Sequence, residues 1–207
     1  MRQIAQRDDI RDLILDGVDT LLSRYGYRKM TMDDLAHEVG IGKGTIYLHF
    51  TSKEEVALSH IDRIVERLCD ELEYIARAKD PADVRIRKML QLRVMYRFDS
   101  VQHYTQSLND LLSSLRPSFL SRRQAHFDQE AEIFARVLEE GRRHGVFQFH
   151  NSRATAMSLL MATNAFLPYS LNTRELGARS FVEEHVTRIA DLMLTGLTTK
   201  TRRPKVR

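Results

Sequence analysis

The stretch Thr31-Met32-Asp33-Asp34-Leu35-Ala36-His37-Glu38-Val39-Gly40-Ile41-Gly42-Lys43-Gly44-Thr45-Ile46-Tyr47-Leu48-His49-Phe50 reads as two short helices joined by a tight turn. Thr31 is placed as an N-cap, with Asp34 at the N3 position of a capping box. Met30 and Leu35 have the spacing of a hydrophobic staple around that cap. Gly40 supplies the turn and Ala36 the small residue that lets two helices cross. Leu35, Val39, Ile41 and Ile46 form the shared core. On the second helix, Ile46 and Phe50 are four apart and face inward, while Lys43, Thr45, Tyr47 and His49 take the rest of the surface. This is the layout of a helix-turn-helix.

Outward from this stretch the chain keeps a helical period. Ile10, Leu13, Ile14, Val18, Leu21 and Leu22 make an amphipathic first helix, and Gly26 stands where it should end. Ser52 with Glu55 opens a fourth helix whose stripe runs through Val56, Ile61, Ile64, Leu68 and Leu72. Asp80-Pro81 signals the start of a fifth, with Asp80 as cap. Leu108, Leu111, Leu112 and Leu115 mark a sixth, expected to stop before Pro117, and Phe127, Phe134 and Leu138 a seventh. The last two start near Ser152 and near Thr173. The expectation is an all-α fold of about nine helices.

Composition agrees with that class. No Gly falls between Gly44 and Gly141, a span rich in Leu, Arg, Glu and Ala. The net charge of +4 is a poor guide to partners. Lys200, Arg202, Arg203, Lys205 and Arg207 contribute +5, leaving the rest of the chain at −1, and residues 1–50 hold seven Arg or Lys against eight Asp or Glu. Any case for nucleic acid therefore rests on individual side chains. The one cysteine, Cys69, leaves no room for an internal disulfide and fits a reducing cytoplasm. The most apolar stretch, Met157 to Leu167, is too short to span a membrane. His103, His126, His144 and His150 lack metal-ligand spacing, and no activated nucleophile or phosphate-cradling Gly loop is present. Neither enzyme activity, metal nor cofactor is expected.

The continuous pattern Thr31-Met32-Asp33-Asp34-Leu35-Ala36, Val39-Gly40-Ile41, Lys43 to Phe50 and Ser52-Lys53-Glu54-Glu55 resembles the TetR family of bacterial regulators. The resemblance covers about the first 60 residues; beyond them only the helix count and Gly141 to Phe147 are similar. It implies a DNA-binding domain at 8–68 with its motif at 31–50 and a ligand-binding and dimerisation domain at 69–199; the stretch at 200–207, which has no apolar period, is expected to be a basic disordered tail. It further implies a homodimer joined through the last two helices, each third helix entering the major groove of a palindromic operator. Thr31, Tyr47 and Lys53 would then contact phosphates, and Lys43, Thr45 and His49 would lie nearest the base edges. A small-molecule effector would release a repressor from its operator.

For that effector, a mostly apolar site with a few polar groups is expected among helices four to seven and Asn164. The candidates are Met89, Tyr96, His103, Tyr104, Leu108, Phe127, Phe134 and Asn164, a set that suits a hydrophobic or amphipathic compound. Two other readings stay open: an architectural DNA binder without an effector, and a helical carrier or enzyme with a vestigial head.

Overall fold

A computed structural model describes residues 2–168 and 177–198, with side chains described from Asp9 onward except at 105–109. Eight α-helices follow one another: α1 (Arg2–Lys29), α2 (Met32–Val39), α3 (Lys43–His49), α4 (Lys53–Ala76), α5 (Ala82–Ser100), α6 (Leu108–Arg143), α7 (Ser152–Thr163) and α8 (Arg179–Leu197). Short 3-10 turns occupy Gln102–Ser107 and Asn164–Phe166. No strand occurs among the described residues, and Phe147 and Thr198 make one isolated bridge. The all-α class holds.

The helix count differs from the expected nine at Pro117, which sits inside α6 rather than ending a helix. Leu111, Leu115 and Phe119 continue at four-residue steps on either side of it and are all buried. Their common packing keeps both halves in line. Pro117 and Ser113 are exposed, so water can satisfy the Ser113 carbonyl that a proline four residues on cannot. The start of α5 also shifts. Pro81 takes the cap position without a side-chain bond, while Asp80 pairs with Lys88 at 2.5 Å. At the end of the chain α8 begins at Arg179, capped from Ala178; the expected start near Thr173 and the tail at 200–207 lie outside the described residues.

The first three helices form a small head. α1 is broken at Gly26, whose φ of 72° is open to glycine without the strain a side chain brings. Its core is Ile14, Val18, Leu21, Leu22, Met30, Leu35, Ile46 and Phe50, each at most 1% exposed. Gly17 of α1 faces Val39 so closely that a Cβ there would collide with the valine. α4 then carries the chain into the body, where α5 packs against α4, α6 and α8. The body core joins Leu68, Leu72, Met89, Leu90, Phe134, Leu138 and Leu160.

The apolar core of the head continues into the body through Ile61, Val94 and Phe98, and polar contacts flank this seam. Arg63 of α4, nearly buried, donates to the Asp12 carbonyl oxygen (3.0 Å) and pairs with Asp12 (3.2 Å) and Asp16 (2.8 Å) of α1. Arg11 donates to Ser59 (3.1 Å) and lies 4.4 Å over the Phe50 ring. His60 is buried against Tyr104, with Asp19 at 3.8 Å, and burial pulls its pKa down to about 4. On its other side α4 is held by α6: Arg122 pairs with Asp62 and, at 2.6 Å, with Glu55.

Candidate nucleic-acid interface and effector cavity

The cap at the start of α2 is complete. Thr31 Oγ1 accepts from the Asp34 backbone N–H (3.1 Å), and the Thr31 N–H donates to Asp34 Oδ2 (3.0 Å). The bonds from Thr31 hold the Asp34 carboxyl below the usual carboxylate range. Gly40 closes α2 in the left-handed region at φ 70°, its N–H reaching the Ala36 and His37 carbonyls. Both ends being tied, the angle between α2 and α3 is set locally. Ile46 and Phe50 then anchor α3 in the core at 0% and 1% exposure.

What remains on α3 faces outward. Tyr47 is 48% and Leu48 75% exposed, and Lys43 is exposed and bonded to Asp33 at 2.7 Å. Thr45 and His49 are half-buried, with the His49 ring tilted against Phe50. Thr31 is exposed at the start of α2. Lys53 has a different place. Its ammonium donates to the carbonyl oxygens of Tyr27 (3.0 Å), Met30 (3.1 Å) and Arg28 (3.4 Å), and sits 4.5 Å over the Tyr27 ring. It thus ties the start of α4 to the end of α1, where the freed carbonyls attract a cation. Leu48 is the outward residue that the polar reading of this helix passed over, since exposure of a leucine cannot be read from its type.

In the body, a small cavity lies between α4, α5 and α6. Ile61, Val65, Phe119, Phe127 and Leu167 supply its apolar wall. Arg93, Arg97, Arg123, His126, Glu130 and Asn164 supply the polar one. Its volume is about 20 Å³, room for about one water. Of the eight ligand candidates, Phe127 and Asn164 line it. Met89 and Phe134 are packed into the body core and Tyr96 lies half-buried beside it. Tyr104 is buried against His60, and His103 is exposed next to it, near the end of α1. The Leu108 side chain lies outside the described residues.

The centre of the polar wall is an arginine–glutamate–arginine cluster. Glu130, 1% exposed, accepts from Arg93 Nε at 2.5 Å and from Arg97 Nη2. Burial would raise the Glu130 carboxyl, but Arg97 and Arg93 together hold it below the ordinary range. Burial lowers Arg93 to about 10. Arg93 also donates to Thr163 Oγ1 (3.0 Å), the Leu160 carbonyl (3.3 Å) and Asn164 Oδ1 (2.8 Å). Cys69 is buried nearby and its thiol is pushed up to about 12, so it is not a reactive thiolate. No group of His, Cys, Asp or Glu among the described residues is placed to hold a metal ion. None of the described helices is long and apolar enough to cross a membrane.

Residues 14–59 match the family described as bacterial regulatory proteins, tetR family. The negative transcriptional regulator IcaR of the Staphylococcus epidermidis biofilm operon is 28% identical over 121 residues, 58% of this chain and 62% of that protein. The transcriptional repressor KstR2 of Mycobacterium tuberculosis is 26% identical over 156 residues, 71% of this chain and 74% of that one. A crystal structure of a transcriptional regulator from Cytophaga hutchinsonii superposes with a TM-score of 0.72 at 22% identity, covering 91% of this chain and 98% of that one. Residues 14–59 thus carry a tetR-family head, and the fold is shared along nearly the whole chain with a solved transcriptional regulator.

Proposed function

We propose that the chain is a homodimeric repressor that places the outward face of α3 in the major groove of a palindromic operator and leaves it when a small molecule enters the body. The observation that carries this reading is the build of α3. A capped, tightly packed two-helix unit presents Lys43, Thr45, Tyr47 and Leu48 to solvent. Lys43 is held by an exposed ion pair worth little in water, so exchanging Asp33 for a phosphate or a base edge costs little. Tyr47 and Thr31 suit phosphate contacts, and Thr45 with His49 the base edges or the adjoining backbone. Leu48 is an apolar partner for a thymine methyl group. The head then comprises residues 8–68 and the effector and dimer body 69–199. Lys53 serves the head by joining α4 to α1, so that a tilt of α4 moves the reading helix.

Dimerisation through α7 and α8 is supported by Met161, Phe181 and Leu192, large apolar side chains 64%, 54% and 66% exposed. Isologous pairing would cover them. Genomic fragments retained by the immobilised full-length protein, sequenced and then titrated by fluorescence anisotropy, test the reading. A palindromic motif bound by two chains is expected. Retention without any common motif favours an architectural binder, and no retention a carrier.

A further inference from the structure

The polar wall of the body cavity holds three guanidinium groups and one carboxylate, with His126 at its edge. Glu130 is shared between Arg93 and Arg97, and the remaining bonds of Arg93 go to the neutral oxygens of Thr163, Leu160 and Asn164. Arg123 lines the same cavity and has no hydrogen bond or ion pair among the described residues. Its charge also acts on Arg93, in the sense that disfavours a second cation nearby. An arginine–glutamate–arginine cluster alone is an adequate structural device. Arg123 is half-buried, so water reaches part of its guanidinium, and no carboxylate among the described residues answers the positive charge it adds beside the cluster. The same cavity is lined by Ile61, Phe119, Phe127 and Leu167, and the Arg93 guanidinium lies 5.5 Å over the Phe127 ring.

We propose that the effector is an amphipathic acid, with one anionic head held by Arg123 and Arg97 and an apolar body lodged against Phe119, Phe127 and Ile61. This rests on the reading of the chain as a ligand-released repressor and narrows its effector to a chemical class. The same side chains give the signal a route. His126 faces the cavity and also lies 3.0 Å from Asp62 of α4, and the adjacent Arg122 holds Asp62 and Glu55. An anion drawing Arg123 inward acts on the turn of α6 that clamps α4, and α4 leads through Arg63 and Lys53 to α1. The cavity must widen to admit the acid, which is the movement the clamp transmits.

Calorimetric titration of the full-length protein with decanoate and with decanol, which share a chain and differ in the charge of the head, tests the assignment. Decanoate is expected to bind at least about tenfold more tightly, as a charge-assisted pair implies. Arg123→Gln should erase that advantage and leave decanol unaffected. Arg97→Met should do the same, but it disturbs Glu130; circular dichroism shows whether it folds, and Arg123→Gln, which removes no hydrogen bond or ion pair among the described residues, decides if it does not. Equal affinity for acid and alcohol, binding of neither, or an Arg123→Gln loss shared by both ligands overturns the acidic head. Operator anisotropy separates this from the broader reading. If decanol releases DNA as well as decanoate does, the repressor reading stands and the acid falls. If decanoate binds through Arg123 and leaves operator affinity unchanged, the acid site stands and the release falls.

Discussion

The head and the body of this protein are held together by interactions of different reach. In the head the decisive contacts are local: Thr31 with Asp34, Ser52 with the Glu55 N–H, and Gly40 with Ala36. In the body they join distant residues, Arg93 to Glu130 and to Asn164, and Arg122 to Asp62. Local contacts set a rigid angle between two short helices, which a reading surface requires. Distant ionic contacts bind long helices to each other at points that one charge can disturb, which suits a switch.

The largest expected effect tests the body. Glu130→Ala leaves two buried arginines without their anion and should lower stability by about 3–5 kcal/mol, seen in thermal unfolding. A loss of under about 1 kcal/mol would show that water already reaches the cluster, and the contrast with the head would weaken.

Next comes acid sensitivity at the junction. His60 is neutral when folded, with its pKa depressed to about 4 from 6.5. Its contribution is therefore whole above pH 6.5 and is lost as pH falls towards 4. Its upper bound is about 3 kcal/mol. Glu130, also depressed, adds a loss at lower pH, below its ordinary value of 4.5. Urea unfolding at stepped pH should show the first loss in the wild type and a flatter curve between pH 6.5 and 4 in His60→Gln.

Lys53 separates local design from DNA contact. Lys53→Met should cost about 1–2 kcal/mol of stability by freeing the carbonyls of Tyr27 and Met30. The salt dependence of operator binding should keep its slope. A slope reduced by about one per head, with stability unchanged, would return Lys53 to the phosphates. The smallest effect is at the cap: Thr31→Ala should cost about 1 kcal/mol of stability, measured by urea unfolding.

The same difference in reach explains what could be read from the sequence. Caps, turn and staple of the head are coded within a few residues, so Thr31, Asp34, Gly40 and the buried Met30 and Leu35 were legible. Gly17 was not, because its need for hydrogen in place of a side chain arises from Val39 on another helix. Pro117 misled for a related reason: a local helix breaker was overridden by the packing of Leu111, Leu115 and Phe119. The cavity was legible only in part. An apolar pattern points to Phe127, but the meeting of Arg93, Arg97, Arg123 and Glu130 depends on how α5 and α6 pack. Lys53 shows the reverse case, a residue whose place in a motif suggested phosphate while its neighbours in space are carbonyl oxygens.

The central claim is that the outward face of α3 reads sequence. The most direct measurement is the ratio of affinities for the selected operator and a scrambled duplex of equal length, taken by anisotropy at one salt concentration. The wild type should favour the operator by at least about a thousandfold. Thr45→Ala combined with Leu48→Ala should shrink that ratio by about tenfold or more, with affinity for the scrambled duplex little changed and unfolding midpoints unaltered. A ratio that survives the double substitution would contradict the account, since sequence would then be read by some other part of the chain.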